Sequence, residues 1–288
     1  MTTKNFNGKA IYNPSGKAGE YSHWACNFYV GCSNGCEYCY CKKGILAGTM
    51  GQDKPQLKKC FRDEKHALDV FEKELLANLD ELKKYGLFFS FTTDPMLPKT
   101  QTLTMNAAGI AVNYGIPVKI LTKCASWVKN FIWWIDNSNS DNEDREWRKM
   151  YAFGFTLTGH DELEPNASNN EERIEAMRKL HKAGFKTWAS IEPIIDFRNS
   201  LIMIWKALDW CDLYKIGLKS GEKYNKDDLR RFMFSTENNC EYGSLKREFG
   251  LGLNRPKIYF KDSLLKVAGI ARESLPSNCV SRDFNIFK

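Results

Sequence analysis

Asn27-Phe28-Tyr29-Val30-Gly31-Cys32-Ser33-Asn34-Gly35-Cys36-Glu37-Tyr38-Cys39-Tyr40 sets three thiols on one short loop. Cysteine thiolates are the usual ligands of iron–sulfur clusters, and a loop this compact can hold three corners of a [4Fe–4S] cube. A cluster that only passes electrons normally takes four protein ligands, so Cys32, Cys36 and Cys39 leave one iron open. An open coordination position is also what separates catalytic from structural zinc. Gly31 and Gly35 allow the loop to turn tightly, so that backbone N–H groups can point at the sulfurs and tune the cluster.

Other metal chemistry is open to the same residues. Cys41 lies two residues beyond Cys39, so four thiols can be gathered around zinc. Structural zinc usually takes ligand pairs separated by a longer loop, and one residue between Cys39 and Cys41 makes tetrahedral closure awkward. A disulfide framework is not needed by a chain of 288 residues, which can bury a proper core. The remaining cysteines (Cys26, Cys60, Cys124, Cys211, Cys240 and Cys279) are scattered singly. That scatter fits a reducing compartment and argues against a second cluster.

Composition is that of a globular enzyme: 43% apolar and 27% charged residues are both ordinary values. The amino terminus has no apolar core of a signal peptide, and no apolar run approaches the roughly 20 residues of a membrane span. A cytoplasmic protein without membrane association is expected. The formal charge of +7 is compatible with a polyanionic partner. It is spread along the chain as doublets (Lys42-Lys43, Lys58-Lys59, Lys83-Lys84, Arg230-Arg231), and doublets usually mark solvated faces.

Short apolar runs alternate with helical patterns along the chain. Strands are expected at Cys26–Val30, Leu87–Phe91, Val118–Thr122, Tyr151–Thr156, Thr187–Ile191 and Leu213–Ile216, with a late one at Lys257–Phe260. Helices are expected at Asp63–Tyr85, ending at Gly86, and at Asn106–Tyr114, Trp127–Ile135, Glu171–Ala183 and Ser200–Trp210. Asp136–Glu146 reads as a polar surface loop. Six βα units in succession imply a parallel sheet with right-handed crossovers, open or curled into a barrel. Chemistry in such a barrel sits at the carboxyl ends of the strands, which is where the three cysteines fall. The expected architecture is α/β, a partial (βα)6 TIM-type barrel. Residues 1–23 are an N-terminal extension, 24–220 the barrel, and 221–288 a C-terminal extension completing the barrel or the substrate site.

With Tyr38 and Tyr40 flanking Cys39, the cysteine loop resembles the signature of the radical S-adenosylmethionine (SAM) superfamily. The run Asn27 to Tyr40 is similar to its spore photoproduct lyase-like, or DNA-repair-photolyase-like, group. Thr92-Thr93-Asp94-Pro95, Thr122-Lys123, Glu164-Pro165 with Arg173, and Glu192-Pro193-Ile194 resemble that group's later elements in order and spacing. Together they cover roughly residues 24 to 200.

The resemblance implies a barrel of the radical SAM type and an enzyme that reductively cleaves SAM at a [4Fe–4S] cluster. The product is a 5′-deoxyadenosyl radical, which abstracts hydrogen from a substrate; the electron comes from a flavodoxin or ferredoxin. SAM chelates the open iron, with Asp94 and Thr93 at hand for its amino group and Lys123 for its carboxylate. Thr156 is placed for the ribose or methionine, and Glu192 for the nucleoside or substrate. Tyr38 and Tyr40 pack beside adenine and cluster to exclude water. Resemblance and the weak positive charge together lean towards nucleic acid or a nucleotide as substrate, with a peptide or small metabolite as the open alternative. The lyase carries a hydrogen-donating cysteine where this chain has Phe91, and nothing from about Ser220 onward matches its lesion-binding part. Both departures argue against thymine-dimer repair. Cys124, beside Lys123, is the candidate substitute donor, with a small buried hydrophobe as its plain alternative. The Trp127, Trp133, Trp134 and Trp147 stretch can stack bases, but its helical spacing favours core packing. The competing readings are a zinc-stabilised nucleic-acid-binding protein and a non-catalytic iron–sulfur protein.

Overall fold

Runs of β-branched and aromatic residues bounded by glycine and polar turns build an eight-stranded main sheet in the computed structural model. It describes residues 5–44, 47–137, 145–248 and 256–288, with the backbone alone at 145 and 239–248. Strands are β1 (Ile11–Tyr12), β2 (Ala25–Cys26), β3 (Tyr29–Val30), β4 (Gln56–Leu57), β5 (Leu87–Phe89), β6 (Val118–Thr122), β7 (Tyr151–Thr156), β8 (Lys186–Ile194), β9 (Leu213–Leu218) and β10 (Lys257–Phe260). Helices are α1 (Gly16–Gly19), α2 (Ala47–Met50), α3 (Glu64–Leu76), α4 (Leu79–Tyr85), α5 (Gln101–Asn113), α6 (Trp127–Asn137), α7 (Asn170–Lys182), α8 (Phe197–Ala207), α9 (Lys226–Glu248) and α10 (Asp262–Ala268). The main sheet runs β1-β2-β5-β6-β7-β8-β9-β10. Within this sheet, among the described residues, only the β1–β2 pair is antiparallel, so the fold is α/β with a mostly parallel sheet.

Several expected elements differ in extent; β5 ends at Phe89, β8 runs over Lys186–Ile194 and α8 over Phe197–Ala207. The first strand, expected over Cys26–Val30, splits. Ala25–Cys26 joins the main sheet, whereas Tyr29–Val30 pairs with Gln56–Leu57. Between them the Asn27 side chain stands in for the ladder, accepting from Phe91 N at 2.9 Å and donating to the Tyr12 hydroxyl at 2.6 Å. The long helix breaks at Asn78, whose amide bonds back to the Glu74 carbonyl at 2.8 Å. The helix expected from Asn106 begins at Gln101. Positions 138–144 of the polar loop lie outside the described residues.

The segments beyond the central units join the same sheet. Glu74 on α3 accepts from the backbone N–H groups of Lys9, Ala10 and Ile11, at 2.6, 2.9 and 2.7 Å, and so fixes β1 beside β2. β10 extends the far edge in parallel with β9. Among the described residues the edge strands β1 and β10 do not pair with each other.

Side chains alternate between two faces. The outer face packs against the helices in a large apolar cluster. The inner face carries Ala25, Phe88, Ala152, Trp188, Leu213 and Tyr259, around the ring of Tyr21. Phe88 on β5 and Trp188 on β8 lie three strands apart, about 14 Å on a flat sheet. Their ring centroids are 6.3 Å apart. Tyr21 touches both, at 5.7 and 5.9 Å, so the sheet curls around it. Gly154 on β7 leaves the space that the indole fills: a Cβ there would stand 2.1 Å from Trp188 Cε2. Among the described residues no helix is long and apolar enough to cross a membrane.

Candidate functional site

The carboxyl ends of the strands open into a cavity of about 500 Å³. Its wall takes the cysteine loop, Ser90–Asp94 after β5, Leu121–Lys123 at the end of β6, Thr156 from β7, Ser190 and Glu192 from β8, and Leu218–Ser220 from β9. Tyr21, Lys261, Lys17 and Met50–Gln52 also line it. Cys32, Cys36, Cys39, Tyr38, Tyr40, Thr93, Asp94, Lys123, Thr156 and Glu192 therefore all face one space. Parallel register is what levels them; Thr156, for example, stands opposite Ser190.

Two braces hold the cysteine loop. Asp94, 7% exposed, is the first. Its Oδ2 accepts from Asn34 Nδ2 at 2.8 Å and Lys123 N at 2.7 Å; its Oδ1 accepts from Thr122 Oγ1 at 2.6 Å and Met96 N at 3.0 Å. A carboxylate has about four lone-pair sites, and protein donors take all of them. Asp94 thus ties the loop to the ends of β5 and β6, and the acceptor left free beside it is the buried, unpartnered Thr93 Oγ1. The second brace is the segment after β7. Leu163 O accepts from Glu37 N at 3.0 Å, Asn166 N donates to Asn34 O at 3.2 Å, and the Tyr38 hydroxyl donates to Glu164 Oε1. Glu164 in turn pairs with Arg173 Nη1 at 2.6 Å, both side chains fully buried. At Gly35, φ is 73° and a Cβ would stand 3.0 Å from Asn166 Nδ2, so this close approach requires glycine.

Among the described residues no set of three Cys, His, Asp or Glu side chains is drawn together at metal-holding distance. The donor set nevertheless fits an iron–sulfur cluster in type and number, on one loop facing one cavity. The unpartnered Thr93 hydroxyl fits a further ligand beside it. Burial, then Asp94, pushes the Cys32 thiol up to about 12, and burial also raises Cys36. The hydrogen bond from Cys41, opposed by burial, draws Cys39 down to about 6. None of the nine described cysteines forms a disulfide.

Lys123 Nζ lies 5.6 Å from the centroid of the Tyr38 ring. Burial works against its charge, but Cys36, Glu164 and Asp94 outweigh that and hold its pKa above the ordinary value. On the opposite wall, Glu192 Oε2 accepts from the Tyr21 hydroxyl at 2.5 Å and pairs with Lys261 Nζ at 2.5 Å. Ser190 Oγ lies 2.7 Å from the same hydroxyl. Tyr21 and Lys261 are cavity residues that sequence reasoning missed. Tyr21 lay in a stretch read as an extension, and nothing in the local pattern of either residue marks it. Asn34 carried a signal, a short amide side chain between two candidate ligands.

Some expected residues are placed elsewhere or differently. Cys124 does not reach the cavity; it packs in the outer core, with Sγ 3.3 Å from Ser126 Oγ. Tyr40 is 53% exposed and its hydroxyl donates to the Phe91 carbonyl, so it does not seal the site as a packed ring would. Trp127 is buried and Trp147 half-buried, as core packing predicts, whereas Trp133 and Trp134 are 66% and 59% exposed.

No family profile matches the sequence, and no curated protein matches it. The chain is similar to the crystal structure of Streptococcus suis SuiB bound to S-adenosylmethionine, with 13% identity and a TM-score of 0.49, over 86% of this chain and 50% of that one. It is likewise similar to a crystal structure of Streptococcus suis SuiB with 13% identity and a TM-score of 0.47, over 88% of this chain and 52% of that one. The chain spans about half the length of these solved structures.

Proposed function

We propose that this chain is a radical SAM enzyme of the spore photoproduct lyase-like group, built on a partial (βα)6 barrel and acting in the cytoplasm on a nucleic acid or nucleotide. The observation that carries the reading is the meeting of Cys32, Cys36 and Cys39 with Thr93, Asp94 and Lys123 on one cavity at the strand carboxyl ends. Cys32, Cys36 and Cys39 would hold the [4Fe–4S] cluster as three thiolates, one fewer than a purely electron-passing cluster takes. Such a cluster would supply one-electron reduction of SAM, the chemistry that gives a 5′-deoxyadenosyl radical, with a flavodoxin or ferredoxin as the electron source.

The chain's own residues bind and orient. Lys123 offers a charge-assisted bond to the SAM carboxylate. The Thr93 hydroxyl takes the amino group, while Asp94 fixes the loop through its four protein bonds. Thr156 and Glu192 flank the ribose. Tyr38, held by Glu164, packs against the cluster loop and keeps water from its inner side.

Anaerobic purification and reconstitution test this reading. A brown protein that forms 5′-deoxyadenosine from SAM on reduction is the expected result. A colourless protein holding stoichiometric zinc, or a brown one that never cleaves SAM, overturns it. Deuterated candidate substrates then identify which one delivers deuterium into 5′-deoxyadenosine.

A further inference from the structure

One lysine doublet, Lys42-Lys43, meets single lysines from four other segments in space. Lys17, Lys42, Lys43, Lys123, Lys219 and Lys261 line the cavity against two carboxylates, Asp94 and Glu192. An excess of four positive charges around one cavity compares with +7 for the whole chain. Asp94 is occupied by protein donors and Glu192 by Lys261 and Tyr21, so neither carboxylate is free to answer that excess. The proposed resident groups do not answer it either. A [4Fe–4S]²⁺ cluster on three thiolates carries one net negative charge and SAM one net positive charge, so together they cancel.

The excess separates into a floor and a rim. Lys123 and Lys261 are deep, and Lys42 is neutralised by Asp53 at 2.6 Å. At the mouth, Lys17 Nζ on α1 donates to Ser220 Oγ at 3.0 Å, joining the N-terminal segment to the loop after β9. Lys219 in that loop pairs with Glu222 at 2.9 Å, and Lys43 lies near enough to help hold the Glu222 carboxyl below its ordinary value. Gly221, at φ 87°, turns the loop there. Lys17, Lys43 and Ser220 are exposed, Lys219 half-buried. Three ammonium groups and a hydroxyl at one opening are donors for a tetrahedral oxyanion, with Glu222 as the exposed internal anion that a ligand displaces.

We propose that Lys17, Lys43, Lys219 and Ser220 form a phosphate-binding rim, and that what enters the cavity is a phosphate-bearing molecule held there by its phosphate. That this molecule is the substrate rests on the radical SAM reading; the rim itself does not. It binds phosphate whether or not a cluster is loaded, which keeps the two failures apart.

Calorimetry with inorganic pyrophosphate, and anisotropy of a labelled single-stranded oligonucleotide, test the rim on the full reconstituted chain without reductant. Pyrophosphate is expected to bind. Lys17→Ala, Lys43→Ala and Lys219→Ala should each weaken it by about threefold or more, and Glu222→Gln should tighten it. Lys149→Ala, which removes a surface lysine paired to Glu146, should change nothing. Retention of the wild-type melting temperature and iron content by the triple lysine variant excludes a folding defect. A salt dependence steeper for the oligonucleotide than for pyrophosphate, by about 0.7 in log–log slope per added phosphate contact, identifies a strand as the source. Equal slopes identify a mononucleotide or other small phosphate. No binding at ten millimolar pyrophosphate, or a triple variant that binds like the wild type, overturns the rim. Anion binding that survives in a protein unable to hold iron overturns the cluster reading and leaves the rim standing.

Discussion

Asn34 Nδ2 donates to Asp94 Oδ2 at 2.8 Å, so the middle of the cysteine loop hangs from the end of β5. The same carboxylate takes the backbone N–H of Lys123 and the hydroxyl of Thr122. One buried side chain therefore sets the distance between the thiols and the strand ends on which a cofactor would rest.

Asp94→Ala strands four buried donors at once. It should destabilise the chain by about 3 kcal/mol or more, since each orphaned donor costs about 1–3 kcal/mol. Asn34→Ala removes one bond and should cost about 1 kcal/mol, while iron uptake on reconstitution falls. Denaturant unfolding and iron analysis of the two variants check this; full iron content in the Asn34 variant would contradict it.

The Glu164–Arg173 pair is fully buried, and removing one partner leaves a charge in the interior. Glu164→Leu or Arg173→Met alone should cost about 3–5 kcal/mol. The double variant should cost less than the sum by about 1 kcal/mol or more. A double-mutant cycle in urea measures the coupling.

Cys36→Ala should abolish cluster retention, whereas Cys41→Ala should keep it. The measurement is iron and sulfide per chain after anaerobic reconstitution. Because burial raises Cys32 and Cys36 above the ordinary thiol value, ligation must release protons there. Reconstitution should accordingly be more complete at pH 9 than at pH 7.

His160 stands between Glu162 Oε1 at 2.7 Å and Asp196 Oδ2 at 2.5 Å. Burial lowers its pKa, but the two carboxylates outweigh that and the net shift is upward. A raised folded-state pKa contributes stability that is full below the unfolded value of about 6.5 and is lost as pH rises through the folded value. Asp196, shifted down, stays ionised across that window. His160→Asn should therefore lower the melting temperature by about 2–4 °C at pH 6, with the gap closing by pH 9. A constant gap would refute the linkage.

Gly154→Ala places a methyl into the Trp188 indole. The overpacking should cost about 1–3 kcal/mol. A melting curve together with tryptophan fluorescence reads both the loss and the displaced ring.

Much of this was legible in the sequence because burial on both faces writes itself as continuous apolar runs. β6 and β7 fall on the expected Val118–Thr122 and Tyr151–Thr156. β1 and β4 are two residues long, too short for any period to register. The split at Asn27 depends on Phe91 and Tyr12, which local pattern cannot see. The site divides in the same way. Residues on the cysteine loop and at strand ends carry motif signals, whereas Tyr21 meets Glu192 across 171 residues and only through the curl of the sheet. Charge misled most: the Lys42-Lys43 doublet looks solvated by itself, yet it shares one cavity with Lys17, Lys123, Lys219 and Lys261 once β9 and the N-terminal segment are in place.

The second brace of the cysteine loop has a consequence in time. Tyr38 and Glu164 are 126 residues apart. A ribosome adds about 5–20 residues per second, so the thiols emerge on the order of ten seconds before the segment that shapes them. During that interval three cysteines are exposed on a nascent chain with no fixed geometry. On the proposed cluster reading, iron would be delivered only after Glu164 has emerged, and synthesis faster than cluster supply would accumulate a folded, colourless form.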